Sequence, residues 1–201
     1  MKMHIAALAA LTLAAGLVFS GCASAPSQTT RPGNADSSDT DSIMLADHGL
    51  SGLDARQIIE RLDTMPLTDR PANLIASIRP DRLVLSDDQE RELSLPMPAD
   101  QFYVSFAPYL TQTHDCHFHS LTTCVGELQN ADIQVKVTDV ATGEVLVDEE
   151  RRTFDNGFLG LWLPRDIEAT LTVEYQGRAA TLPLTTKGDE AATCLTTLRL
   201  G

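Results

Sequence analysis

The sequence predicts an α+β protein in which a small N-terminal helical region precedes an antiparallel β-sandwich. Three observations carry that prediction. Apolar residues recur at helical spacing only between residues 43 and 80. From residue 82 onward they occur in short β-branched and aromatic runs, and turn residues punctuate those runs.

The chain opens with Lys2 and an apolar run over residues 5–19, followed by Ser20-Gly21-Cys22-Ala23-Ser24. That is the layout of a secretory leader, too short and wrongly flanked for a spanning helix. Phe19-Ser20-Gly21-Cys22 resembles a bacterial lipobox. Residues 1–21 are therefore expected to be removed and Cys22 lipidated, with Ala23 favouring the outer membrane. Residues 22–42 are rich in Ser, Thr, Asp, Pro and Gly. They bury too little apolar surface to offset ordering entropy and read as a flexible tether.

Residues 43–81 form the expected helical region. Ala55, Ile58, Ile59 and Leu62 fall on one stripe, with Ser51 as a cap and Pro66 as a stop. A second short helix is expected over residues 70–78, ending before Pro80.

Residues 82–201 form the expected sandwich. Runs at 82–85, 102–106, 133–139 and 144–148 read as strands, as do 158–164, 170–175, 179–185 and 194–200. Ala141-Thr142-Gly143, Asp155-Asn156-Gly157 and Gln176-Gly177 supply turns. This spacing suggests Ig-like or transthyretin-like order. Trp162 and Phe158 are assigned to the sandwich core, Met97 to packing and His48 to solvent.

Charge excludes some partners. The chain carries −13 at neutral pH, and loss of Lys2 with the leader makes it one unit more acidic. Too little Lys and Arg is present to hold nucleic acid through its phosphates. An anionic membrane surface would also repel it, so membrane attachment must come from lipid alone.

Cysteine usage is the sharpest feature. With Cys22 acylated, Cys116, Cys124 and Cys194 remain, an odd number in an exported protein. Either one disulfide stands beside a lone thiol, or three thiolates hold a soft metal. Residues 114–124 (HDCHFHSLTTC) hold two of these cysteines together with His114, His117 and His119. In one helix the two sulfurs would sit about 12 Å apart, and in one strand about 26 Å. Shared ligation needs them within about 4 Å, so the segment must fold back as a loop. Thr193-Cys194-Leu195 echoes Thr122-Thr123-Cys124 in composition, and pairing of the two elements would bring Cys194 to the loop. Thiolates favour Cu(I) and zinc. Three thiolates without an obligatory fourth ligand fit Cu(I), whereas zinc would recruit His119 or His117.

Four blocks together resemble the CueP family of periplasmic copper-binding proteins. They are Cys116 to Cys124, Arg151 to Phe158, Leu161 to Asp166 and Thr193 to Thr197. The resemblance implies copper bound by Cys116, Cys124 and Cys194 with a nearby histidine, His119 falling on the motif. It also implies copper sequestration in copper resistance, delivery to a periplasmic copper-accepting protein, thiol-dependent reduction of Cu(II), and a dimer. The competing readings are a structural sandwich lipoprotein stapled by a disulfide, and a zinc-binding module.

Overall fold

The computed structural model describes residues 35–201. The leader, Cys22 and the first part of the tether lie outside the described residues. Among the described residues no helix is long and apolar enough to cross a membrane.

Helix α1 spans Ala35–Asp47 and α2 spans Ala55–Asp63. Residues 35–42, assigned to the tether by composition, are thus helical. The stripe expected in α2 is the buried one: Ala55, Ile58, Ile59 and Leu62 are all 3% exposed or less. Its cap is Asp54 rather than Ser51. The Asp54 carboxylate accepts from Gln57 N at 2.8 Å, and Gln57 Oε1 accepts from Asp54 N at 3.0 Å. This reciprocal box satisfies two donors that a helix start leaves orphaned. Ser51 lies in the preceding turn.

A short 3-10 turn, Leu67–Asp69, leads to β1 (Leu74–Ile78). The second helix expected over 70–78 does not form. Leu74, Ala76 and Ile78 point inward while Ile75 is 53% exposed, a period of two. Five residues gain little as an isolated helix, and here they gain a full ladder against β2 (Arg82–Asp87), which pairs in turn with β3 (Glu92–Pro96). These three strands form one sheet. It shares a core with the helices, through Met44, Ile58, Leu74, Leu83 and Leu85 among others. Strands 82–96 therefore belong with the helices and not with the sandwich. Met97 is packed in this core, and the side chain of His48, expected in solvent, is 5% exposed with Nε2 3.9 Å from Asp87.

The sandwich begins at β4 (Gln101–Phe106). Its small sheet has the order β10-β4-β7, with β7 at Leu159–Pro164 and β10 at Cys194–Leu195. The facing sheet has the order β6-β5-β8-β9, from β5 (Asp132–Asp139), β6 (Val145–Arg152), β8 (Glu168–Tyr175) and β9 (Arg178–Thr185). Ile133, Val135 and Val137 of β5 meet Phe102, Val104 and Phe106 of β4 in one core. The α+β class and the sandwich are as expected.

Strand β4 is buried on both faces, as strands between two layers are. Phe102, Val104 and Phe106 serve the sandwich, whereas Tyr103 turns to the helical side. Gly160 lies beside β4, and a Cβ there would come within 1.7 Å of the Tyr103 hydroxyl. The missing side chain lets the Tyr103 ring lie flat across β7 and reach past it. Trp162 packs on this same side, 4.8 Å from the Tyr103 ring and beneath Arg56, and not in the sandwich core.

Candidate metal centre

The long connection from β4 to β5, residues 107–131, carries two of the cysteines. Three sets of bonds shape it. The first adds residues 119–121 to the free edge of β1: Ile78 N donates to His119 O and Leu121 N to Ala76 O, each at 2.8 Å. The second ties the loop to the C-terminal segment. Thr193 N and Cys194 N both donate to His117 O, and His119 N donates to Thr193 Oγ1 at 3.0 Å. The third is the Glu127 carboxylate, which accepts from the backbone of Leu110, Thr111 and Gln112 and from the Thr111 hydroxyl. Those bonds, that of the Thr111 hydroxyl first, hold its pKa down at about 2.

Between these anchors the chain turns back on itself. Cys124 N donates to Ser120 O and the Thr123 hydroxyl to that of Ser120. Beyond Cys124, Gly126 passes so close to Gly157 that a Cβ on Gly157 would meet the Gly126 carbonyl at 2.5 Å. Gly157 also has φ near 76°, in the left-handed region where glycine carries no steric penalty. The reversal brings Cys116 Sγ to 3.6 Å from Cys124 Sγ. Cys194 arrives from the other end of the chain, in parallel register beside Ser105 of β4, with Sγ 3.8 Å from His119 Nδ1. It reaches the loop through the His117 carbonyl, not by strand pairing with residues 121–124. All three cysteines are free thiols.

Their donor atoms make two overlapping triplets. His114, Cys116 and Cys124 form one and His119, Cys124 and Cys194 the other, each with donor atoms within 4.8 Å of one another. Phe158 walls the cluster, its ring 4.6 Å from that of His119, and is grouped with the cysteines and Ala107. It is thus a lining residue of the site and not part of the sandwich core.

His119 is wholly buried, and its Nε2 lies 3.1 Å from Asp63 Oδ1 at the end of α2. Asp63 is equally buried and also accepts from the Tyr103 hydroxyl at 2.6 Å and from Asn156 Nδ2 at 3.0 Å. A carboxylate on one imidazole nitrogen fixes the ring and leaves the other nitrogen aimed at the sulfurs, as in many metal sites. Sequence reasoning missed Asp63, Tyr103 and Asn156. The available signal was an acidic residue at the end of an otherwise apolar stripe, one position past Leu62.

Burial alone would depress the His119 pKa, but the Asp63 charge overrides it and lifts the ring to about 9. Burial pushes Asp63 up, yet His119 and the hydrogen bonds hold it below the usual carboxylate range. Negative charge in the sulfur cluster settles on Cys124, held far below the ordinary thiol range by hydrogen bonds from Cys116, Cys194 and His119. Donation to Cys124 raises Cys116 to about 12, and donation to both neighbours raises Cys194. Ionisation is thus favoured at Cys124 over its two neighbours.

His117 joins neither triplet. Its ring is exposed, with Nε2 3.0 Å from Glu190 O, and its contribution is the backbone carbonyl. A bend at His117 and Phe118 breaks the alternation that would put residues 117 and 119 on one face, so His119 lies inward and His117 outward.

The donor set suits a soft monovalent ion. Metal–sulfur bonds near 2.3 Å place sulfurs about 4 Å apart, close to the 3.6 Å between Cys116 and Cys124. The comparisons with known proteins point to copper. A family model described as periplasmic copper-binding protein CueP matches residues 57–199. A crystal structure of a protein described as S.CueP is similar, at 44% identity and a TM-score of 0.74, over 80% of this chain and 97% of that one. No curated protein matches. A match over most of the chain, with the cysteine cluster inside it, makes this protein a member of the CueP family of periplasmic copper-binding proteins.

Proposed function

We propose that the protein captures Cu(I) on Cys116, Cys124 and Cys194, with His119 as the nitrogen donor, and sequesters it in the bacterial envelope. The observation that carries this reading is the convergence of three sulfurs and one imidazole from segments more than 70 residues apart, including Cys194 Sγ 3.8 Å from His119 Nδ1. Softness selects the ion, because thiolates prefer Cu(I) to harder cations. Lipidation of Cys22 would hold the protein at the outer membrane, and a periplasmic acceptor would take the copper by thiolate exchange.

The same thiols can reduce the metal. Two Cu(II) ions each accept one electron from the Cys116–Cys124 pair, two Cu(I) ions form, a Cys116–Cys124 disulfide closes, and the Cys116 thiol proton is lost to solvent. Cys124, the sulfur at which ionisation is favoured, is the electron-rich partner for that step.

Titration of the reduced protein with Cu(I) against a chromophoric chelator tests the first claim. One tight equivalent is expected, with all three thiols protected from alkylation. Cys194→Ser should weaken binding by about 100-fold, the upper end for loss of a metal-site contact. Wild-type affinity in that variant, or displacement of Cu(I) by zinc, overturns the assignment.

A further inference from the structure

The two donor triplets differ in access. Cys194 and His119 are buried, at 1% and 0% exposure, and face the Asp63 network. His114 and Cys116 are half-buried at the outer end of the cluster. His114 also lines an open cavity of ≈ 450 Å³, together with Gln112, Val125, Gly126 and Glu127. Cys124 alone belongs to both triplets. An ion entering from solvent therefore meets His114 and Cys116 before it can reach Cys194.

We propose that His114, Cys116 and Cys124 form an entry site for Cu(I), from which the ion passes inward to Cys194, beside His119, while Cys116 and Cys124 stay bound. The proposal rests on the copper reading above and adds a residue and an order of events to it. Copper remains monovalent throughout. The bond to His114 Nδ1 or Nε2 breaks as the bond to Cys194 Sγ forms, and the Cys194 thiol proton is released to solvent. Cu(I) accepts two or three ligands, so one donor can exchange for another without the ion leaving the protein.

Two features favour this over a solvated loop histidine. The His114 ring is 6.0 Å from Phe158, the residue that also walls the inner triplet. The chain leading to His114 is fixed by the Glu127 carboxylate, through the backbone of Leu110, Thr111 and Gln112. The side chain is thus carried on an anchored segment at the cavity wall.

The test is stopped-flow loading of the reduced protein with Cu(I) supplied as its bicinchoninate complex, beside equilibrium competition for the same ion. His114→Ala should slow loading by about tenfold or more while equilibrium affinity changes less than about threefold. His114→Met, which restores a soft ligand, should recover most of the rate. Loading of His114→Ala at the wild-type rate overturns the entry role. So does a His114→Met variant as slow as His114→Ala, or a loss of affinity in His114→Ala as large as in Cys124→Ser. Cys194→Ser separates the two proposals: retained fast capture with weakened affinity supports both, and unchanged affinity sinks the copper reading itself.

Discussion

The core of the sandwich and the seam beside it are equally buried and differ in almost every other respect. The sandwich core is built on hydrophobic side chains, from Phe102 and Val135 to Leu171 and Leu184. The seam between the sandwich and the helical half buries Asp63, His119, Asn156 and Thr193 at 0% exposure, beside three sulfurs. Burial of apolar surface is forgiving, because neighbours relax around a change. Burial of a charge network is not, because each member exists to satisfy another. The lesson is a division of labour: the sandwich supplies stability and rigidity, and the seam spends part of that stability on holding one imidazole and the sulfur cluster in place.

Substitutions in the two regions should therefore separate stability from copper binding. The largest effect is expected for Asp63→Ala, which leaves His119, Tyr103 and Asn156 without their common partner. Removal of one member of a buried ion pair costs about 3–5 kcal/mol, read from urea unfolding of the reduced protein. Copper affinity should fall with it, by about 10- to 100-fold. A variant as stable as the wild type would erase the contrast between the regions.

Leu171→Ala probes the purely apolar side at a residue as unexposed as Asp63. Chemical denaturation should show a loss of about 2–5 kcal/mol, with Cu(I) affinity unchanged. Lost affinity here would mean that the sandwich core shapes the site directly. Gly160→Ala probes the boundary, since its Cβ would collide with the Tyr103 ring. Overpacking of this kind costs about 1–3 kcal/mol, and Tyr103→Phe should relieve part of it in a double-mutant cycle.

The pH response sharpens the comparison further. His119 titrates at about 9 when folded against 6.5 when free. Its contribution to stability is therefore fully present below pH 6.5 and lost as pH rises through about 9. Cys124 is shifted down and works in the opposite sense, gaining as pH rises toward the ordinary thiol value. In Cys124→Ala the opposing thiol is gone while the Asp63 charge still raises His119, so urea midpoints should fall as pH rises above 6.5. A flat profile would show that Asp63 does not hold the imidazolium. The smallest effect is expected for Tyr103→Phe alone, about 1 kcal/mol for one hydrogen bond to a carboxylate that keeps two others.

Much of this was legible in the residues. Strands β5, β7, β8 and β9 follow the expected runs because burial writes a period of two into each, whereas β6, exposed over its second half, runs on to Arg152, past the expected end at 148. The α2 stripe is equally plain. Residues 70–78 misled because five residues with two isoleucines and a leucine satisfy either period, and only the partner strand β2 decides. Strand β3 was missed for the same reason, being short and half exposed.

The site divides along the same line. By itself the sequence determined that three thiols and a histidine-rich segment exist, that the segment must reverse for two sulfurs to meet, and that soft-metal chemistry follows. Tertiary structure alone decided which histidine turns inward and that Cys194 arrives beside β4. It also decided that a carboxylate 56 residues before His119 fixes the ring, and that His114 stands at the open end. The reason is physical: periodicity and turn chemistry act over a few residues, whereas a coordination sphere is assembled wherever distant segments of the backbone cross.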